Sequence, residues 1–198
     1  LAALGMGATN YWVFDSPDIE RFYAEIAAGR MDPRCAYITS ATLKDPTPGH
    51  APPGIHTVEV MTLLSGEPER WCVDPEQIHG PGYRATPAYL ELKQRIEDAL
   101  VDKLEARFPG VKDHIVYRES ATPVTHSRYT RATGGTGYGI ACTPEQFMGR
   151  RPGYRGPLPG SYLCGASTRA GHGIVGAMSS GVHAARRIAR DLDVALVG

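Results

Sequence analysis

The chain is expected to be an α/β (α+β) protein, a mixed sheet with helices packed on it, and three observations predict that class. Ser16-Pro17 and Thr86-Pro87 each place a capping hydroxyl before a proline at a first helical position. The stretches 36–43 and 55–64 are β-branched and apolar, joined by the Pro- and Gly-dense KDPTPGHAPPG. Near the end, a short apolar run at 161–164 opens through glycines onto a helical pattern over 177–190.

Taken in order, Tyr11, Trp12, Val13 and Phe14 read as a strand. A helix follows, capped by Ser16, with Pro17 first and acids in its first turn, running through Tyr23 and Ile26 to Gly29. The 36–43 and 55–64 strands are expected to pair antiparallel across their loop. From Thr86-Pro87, the recurrence of Tyr89, Leu92, Ile96, Leu100 and Leu104 marks one apolar face of a helix that ends near Phe108-Pro109-Gly110. The opposite face, from Glu91 to Lys103, reads as solvated charge. A further strand is expected within 111–118, centred on 114–117. Thr122-Pro123 starts a short capped helix through Tyr129, and Gly134, Gly135, Gly137 and Gly139 form a loop able to press backbone against a flat ligand.

The 161–190 stretch is where a ligand is expected. A strand that passes through glycines to a helix N-terminus offers close backbone approach and N–H groups without intrahelical partners at the positive end of a dipole. Residues 171–176, GHGIVG, spell GxGxxG, but a dinucleotide fingerprint puts its first glycine directly after the strand and an acid about 20 residues on, ending the next strand. Here residues 165–170 intervene, and Asp191 and Asp193 precede the only available next strand, 194–197. A purely structural glycine turn is the plain alternative.

Lys plus Arg and Asp plus Glu number 21 each in 198 residues, which excludes a strong field for nucleic acid or an anionic membrane. No signal peptide and no transmembrane-length apolar run is present. Cys35, Cys72, Cys142 and Cys164 lack CxxC and His–Cys spacing, fitting reduced thiols of a cytoplasmic protein rather than a disulfide framework or a metal site. A peripheral membrane contact or a mitochondrial location stays open, as does a homo-oligomer. The first residue is Leu1, so a piece of a longer chain is expected.

The string SYLCGASTRAGHGIVGAMSSGVHAA resembles the C-terminal flavin-contacting segment of the phytoene desaturase and retinol saturase group of FAD-dependent oxidoreductases. In that group an LYL-type strand, a small-residue turn and Gly-x-x-Gly-Ala open the last helix, matched here by 161–163, 165–168 and 173–177. A Thr-Pro-x-Thr-x-x-x-Tyr pattern near flavin and substrate is matched by Thr122, Pro123, Thr125 and Tyr129. TNYWVFDSPDIERFY and TLKDPTPGHAPPGIHTVEVMTL look like substrate-domain segments of the same group, especially its members described as pyridine nucleotide-disulfide oxidoreductase domain-containing proteins.

The resemblance implies a substrate-binding portion over 1–158 and the C-terminal segment of a split FAD-binding domain over 159–198. It implies FAD as cofactor, contacted by Gly165, Ala166, Ser167, Gly173, Val175, Gly176 and Ala177, and bound weakly or not at all by this piece alone. Hydride transfer on an apolar small molecule is the implied chemistry, with His126, Tyr129 and His172 as catalytic candidates. The implied partner is the rest of the polypeptide, with its N-terminal Rossmann unit. Many two-domain FAD enzymes carry Gly-Asp where this chain has Gly165-Ala166, so the contact there falls to backbone N–H groups or to the hydroxyls of Ser167 and Thr168. A non-catalytic interaction module and a small NAD-binding enzyme are the alternatives.

Overall fold

A computed structural model describes residues 1–195 and divides the chain into two compact units, Leu1–Gly135 and Thr136–Gly198. The expected boundary at 158/159 separates portions by the ligand they would serve, and compactness does not bear on it.

The first unit is built on a three-stranded sheet of order β1-β2-β3, with β1 Tyr11–Phe14, β2 Cys35–Thr39 and β3 Glu59–Met61. Both pairings are antiparallel, Tyr11 opposite Ile38 and Tyr37 opposite Met61. The expected combination of sheet and helices is therefore present. Two strands are shorter than expected. Ser40 accepts from the Leu43 N–H and caps a short helix, α2 Ala41–Lys44, so β2 stops at Thr39. With β2 ended, β3 finds only three partners and the rest of 55–64 stays outside the ladder.

Helix α1, Ile19–Ala27, is capped by Asp18, whose carboxylate accepts from the Arg21 N–H at 2.9 Å. The expected cap, Ser16, instead accepts from the Asp18 N–H in the preceding turn. A carboxylate adds full negative charge at the positive helix end, which favours the later start. Helix α3, Pro87–Arg107, begins where expected with Pro87 first, but Thr86 makes no side-chain capping bond there, so the start rests on the proline's fixed φ. Its Leu104, with Phe108, closes on Met6, Ala36, Ile38 and Val111. Tyr89 and Ile96, further back, close on Trp71, Val73, Tyr83 and Val124. One helix thereby unites two apolar clusters.

The strand expected in 111–118 does not form. Glu105 accepts from the Gly110 and Lys112 N–H groups at 2.7 and 2.9 Å, and these bonds hold its carboxyl below the ordinary glutamate range. Gly110 turns at φ +89°, Val111–His114 becomes a 3₁₀ turn, and Val116 and Tyr117 are exposed. With no neighbouring strand to receive its backbone, the apolar pattern alone makes no ladder. Helix α4, Pro123–Thr130, has the expected start, with Thr122 and Thr125 forming a reciprocal capping box.

In the second unit the 161–164 strand is reduced to an isolated antiparallel bridge, Arg155 to Tyr162, flanked by bonds from Gly156 N to Ser161 O and Leu163 N to Tyr154 O. The described residues offer this run no strand on its other side. Helix α5 spans Gly173–Leu192, starting a turn earlier than 177 because GIVG is itself helical. Asp193, at φ +53°, closes it, and the strand expected over 194–197 runs into residues outside the described ones.

Candidate functional site

The turn from 165 to 172 and the start of α5 are fastened by groups that the sequence does not announce. Ser180 Oγ, fully buried in the second turn of α5, accepts from the Gly165 N–H at 2.6 Å. Thr168, also buried, donates its hydroxyl to Gly165 O at 2.9 Å. Arg151 is 3% exposed and donates Nε–H to Thr168 O at 3.1 Å and Nη2–H to Ala166 O at 2.7 Å. Its Nη1 reaches Gln146 O at 3.2 Å and Ile140 O at 3.4 Å. A guanidinium spends its fixed fork of donors here mainly on carbonyls, with Nη1 also reaching Cys142 Sγ, and so holds two loops in one arrangement.

The expected cofactor residues lie in the turn from 165 and in the first turns of α5. Gly165, Gly171 and Gly173 turn at φ +103°, +84° and +80°, and a Cβ at any of them would meet nothing within 4 Å. Backbone at these three points is open to close approach. Helix α5 begins at His172 with no side-chain cap, so its first N–H groups keep the positive end of the dipole unmasked. Val175 and its neighbour Ile174 are exposed, while Ala177 is half-buried. An uncapped helix start under open glycine backbone fits a flat, electron-rich group of the flavin kind.

Gly176 answers a different need. A Cβ there would stand 2.6 Å from Gly171 O and 2.9 Å from Ala170 O, so its missing side chain is already required by the chain's own turn. Ser167 Oγ accepts from the Ile140 N–H at 3.3 Å and keeps its proton for donation. Thr168, offered by the sequence as a second hydroxyl, is committed to Gly165. A Cβ on Gly139 would strike Ser167 Oγ at 2.5 Å, so the end of the Gly134–Gly139 loop does press on the 165–177 turn.

Of the catalytic candidates, His172 is exposed at the helix start with the Tyr138 ring 4.8 Å from its own. His126 and Tyr129 belong to the first unit. His126 donates Nδ1–H to Gly135 O at 3.3 Å, and Gly135 is packed so closely that a Cβ would lie 2.1 Å from Pro123 O. That histidine closes the loop after α4. Tyr129 is exposed, with the Arg128 guanidinium over its ring. Thr122, from the same motif, is buried against Tyr89 Oη at 3.0 Å and caps α4, a structural role.

A cleft of about 430 Å³ in the first unit is lined by Asp98, Val101, Asp102, Lys112, Ile115 and Arg118. Its charges pair with one another, Lys112 with Asp102 and Arg118 with Asp98, which leaves little for a ligand. At the far end of α5, Arg155, Arg187 and Tyr162 converge on Asp191, and the Arg155 hydrogen bond holds that carboxyl well below the usual range.

Comparison with known proteins gives a consistent picture. The chain is 30% identical over 195 residues, 96% of its length, to "Prolycopene isomerase 2, chloroplastic" of an Oncidium hybrid cultivar. It is 32% identical over 153 residues to "Pyridine nucleotide-disulfide oxidoreductase domain-containing protein 2" of Mus musculus, covering 75% of this chain and 23% of that protein. It is 25% identical over 142 residues to "All-trans-retinol 13,14-reductase" of Danio rerio, covering 69% and 22%. The chain spans between about a fifth and a third of the length of the curated relatives it matches. No family model matches it, and no solved structure does. Among the described residues no helix is long and apolar enough to cross a membrane.

Proposed function

We propose, from the premise that the chain is a relative of the phytoene desaturase-like FAD oxidoreductases, that it is the portion of such an enzyme that receives the ring side of FAD on 165–177. The observation that carries the reading is the start of α5: uncapped, preceded by open glycine backbone, and bearing exposed Ile174, Val175 and Met178. FAD, when bound, supplies the hydride chemistry.

The chain's own residues do the rest. The α5 N-terminus stabilises negative charge that grows on a bound ring, by about 0.3–2 kcal/mol. Gly165, Ala166 and Ser167 offer backbone and one hydroxyl, held in place by Arg151 and Ser180. Gly173 and Ala177 keep the approach free of bulk, Gly176 lets the 170–171 turn pack against the helix start, and Ile174 and Val175 exclude water once covered. In this reading His172, exposed at the helix start with the Tyr138 ring 4.8 Å away, lies against a ring face. The remaining part of the site, including the diphosphate contacts, comes from a Rossmann unit elsewhere in the polypeptide.

The substrate in this reading is apolar and neutral, in keeping with the prolycopene and all-trans-retinol of the relatives' names. One observation favours an acid instead: Arg128 Nη1 is buried without a hydrogen-bond partner beside Tyr129. Turnover of lipid-like compounds in preference to a hydrophilic carboxylate separates the two.

Titration of the purified chain with FAD, followed by flavin fluorescence, is expected to show weak binding or none. Co-expression with the Rossmann portion of the polypeptide is expected to yield a yellow protein. Stoichiometric binding by the chain alone at low micromolar concentration, or a colourless co-expressed protein, overturns the split-site reading.

A further inference from the structure

The second unit holds a cysteine that the flavin reading does not use. Cys142 is exposed, and its Sγ lies 3.6 Å from His172 Nδ1 and 3.4 Å from Arg151 Nη1. Arg151 is all donor, so the sulfur accepts there. The thiol hydrogen remains free for donation to the imidazole in the tautomer whose Nδ1 is unprotonated. The Tyr138 ring, 4.8 Å from that of His172 and tilted 51° to it, packs against the imidazole and limits its orientation. A nucleophile within hydrogen-bond reach of a base, with the base oriented by a third group, is the arrangement that activates a thiol.

An open surface groove of about 600 Å³ adjoins this residue, lined by Cys142, Pro144, Phe147, Met148, Gly149 and Arg150. Phe147 and Met148 are exposed on its wall, and Met148 is held at φ +47°, a conformation its side chain disfavours. The lining is apolar except for the sulfur and Arg150, whose Nη1–H is engaged by Pro144 O at 3.1 Å.

We propose that Cys142 and His172 form a nucleophile–base pair beside this groove, and that Cys142 is the thiol of this chain that adds to small apolar α,β-unsaturated carbonyl compounds. The step balances within the pair and the acceptor. Sulfur forms a bond to the β-carbon as the C=C π pair moves toward the carbonyl oxygen. The thiol proton passes to His172 Nδ1 and from there to the α-carbon. No group leaves, and no oxidant or reductant is consumed. Arg151 steadies the sulfur during attack through its Nη1–H.

N-ethylmaleimide, a small acceptor of this class, tests the proposal on the 198-residue chain without FAD, so that its failure is separate from failure of the flavin reading. The chain is labelled with limiting reagent at pH 7, quenched at intervals, and the modified peptides are quantified by mass spectrometry. Cys142 is expected to label about tenfold faster than the other exposed thiols, Cys72 and Cys164. In urea the preference is expected to vanish. His172→Gln and His172→Ala are both expected to bring Cys142 down to the rate of Cys164 while Cys72 is unchanged. Equal labelling of the three exposed thiols in the native chain overturns the proposal. So does a preference that survives urea, or one that survives both His172 variants.

Discussion

The two compact units differ in their largest buried side chains, while small hydroxyl residues such as Ser40 and Thr122 are buried in the first as well. In Leu1–Gly135 the interior is Trp71, Tyr83, Tyr89, Phe108 and Ile38, large side chains gathered along α3. In Thr136–Gly198 the most buried groups are Arg151, Thr168 and Ser180, with the small Ala184 and Ala189, while Ile174, Val175, Met178 and Val182 on α5 are exposed. Apolar burial is non-directional and forgiving, whereas a buried polar group must find each of its partners. The first unit is held chiefly by apolar packing along α3 and the second by directed hydrogen bonds around Arg151, Thr168 and Ser180.

The contrast can be broken by substitution, and the steepest loss is expected in the first unit. Trp71→Ala removes a 2%-exposed indole whose Nε1–H donates to Ser65 O at 2.8 Å. It should cost about 3–5 kcal/mol, read from urea unfolding. Arg151→Met should cost about 2–3 kcal/mol, since it leaves the Thr168 and Ala166 carbonyls without their donor. The discriminating readout is amide exchange: 140–146 and 165–169 should open while the α3 amides keep their protection. Loss of protection spread over both units would contradict a local, directed role for Arg151.

Smaller effects sharpen the same distinction. Gly176→Ala pushes a methyl into the Ala170–Gly171 backbone and should cost about 1–3 kcal/mol in thermal unfolding, whether or not FAD is present. A neutral result would mean that the 170–172 turn yields readily. Acidification should loosen the second unit through Asp191. Its folded pKa lies below the ordinary value of 3.8, so the stabilisation by Arg155, Arg187 and Tyr162 is full above about pH 4 and is lost as pH falls. Near-neutral and acid spectra of the Tyr162 ring would report that release, and Asp191→Asn should remove its pH dependence. Least affected should be the double variant Ile174→Ser, Val175→Ser, within about 0.5 kcal/mol of the parent in this chain. If the proposed split site holds, the same variant co-expressed with a Rossmann portion should lose flavin colour.

Local chemistry was readable in the chain wherever neighbours in sequence decide structure. The Thr122-Pro123 start and its capping box, the Thr86-Pro87 start and apolar face of α3, and the glycines ahead of α5 all concern residues within a few positions of one another. Helices close their own hydrogen bonds, so their signals suffice. Strands do not, and that is why 111–118 and 161–164, apolar enough to suggest ladders, form only turns or a single bridge when no neighbouring strand receives them. The glycine pattern likewise located the candidate site but not what fastens it. Arg151 reaches carbonyls as far as Thr168, Ser180 reaches back to Gly165, and Cys142 meets His172 thirty residues away. Spacing in a sequence carries no trace of such pairs, because they exist only once the chain has turned back on itself; tertiary structure alone put a base beside the thiol and a buried cation beneath the turn.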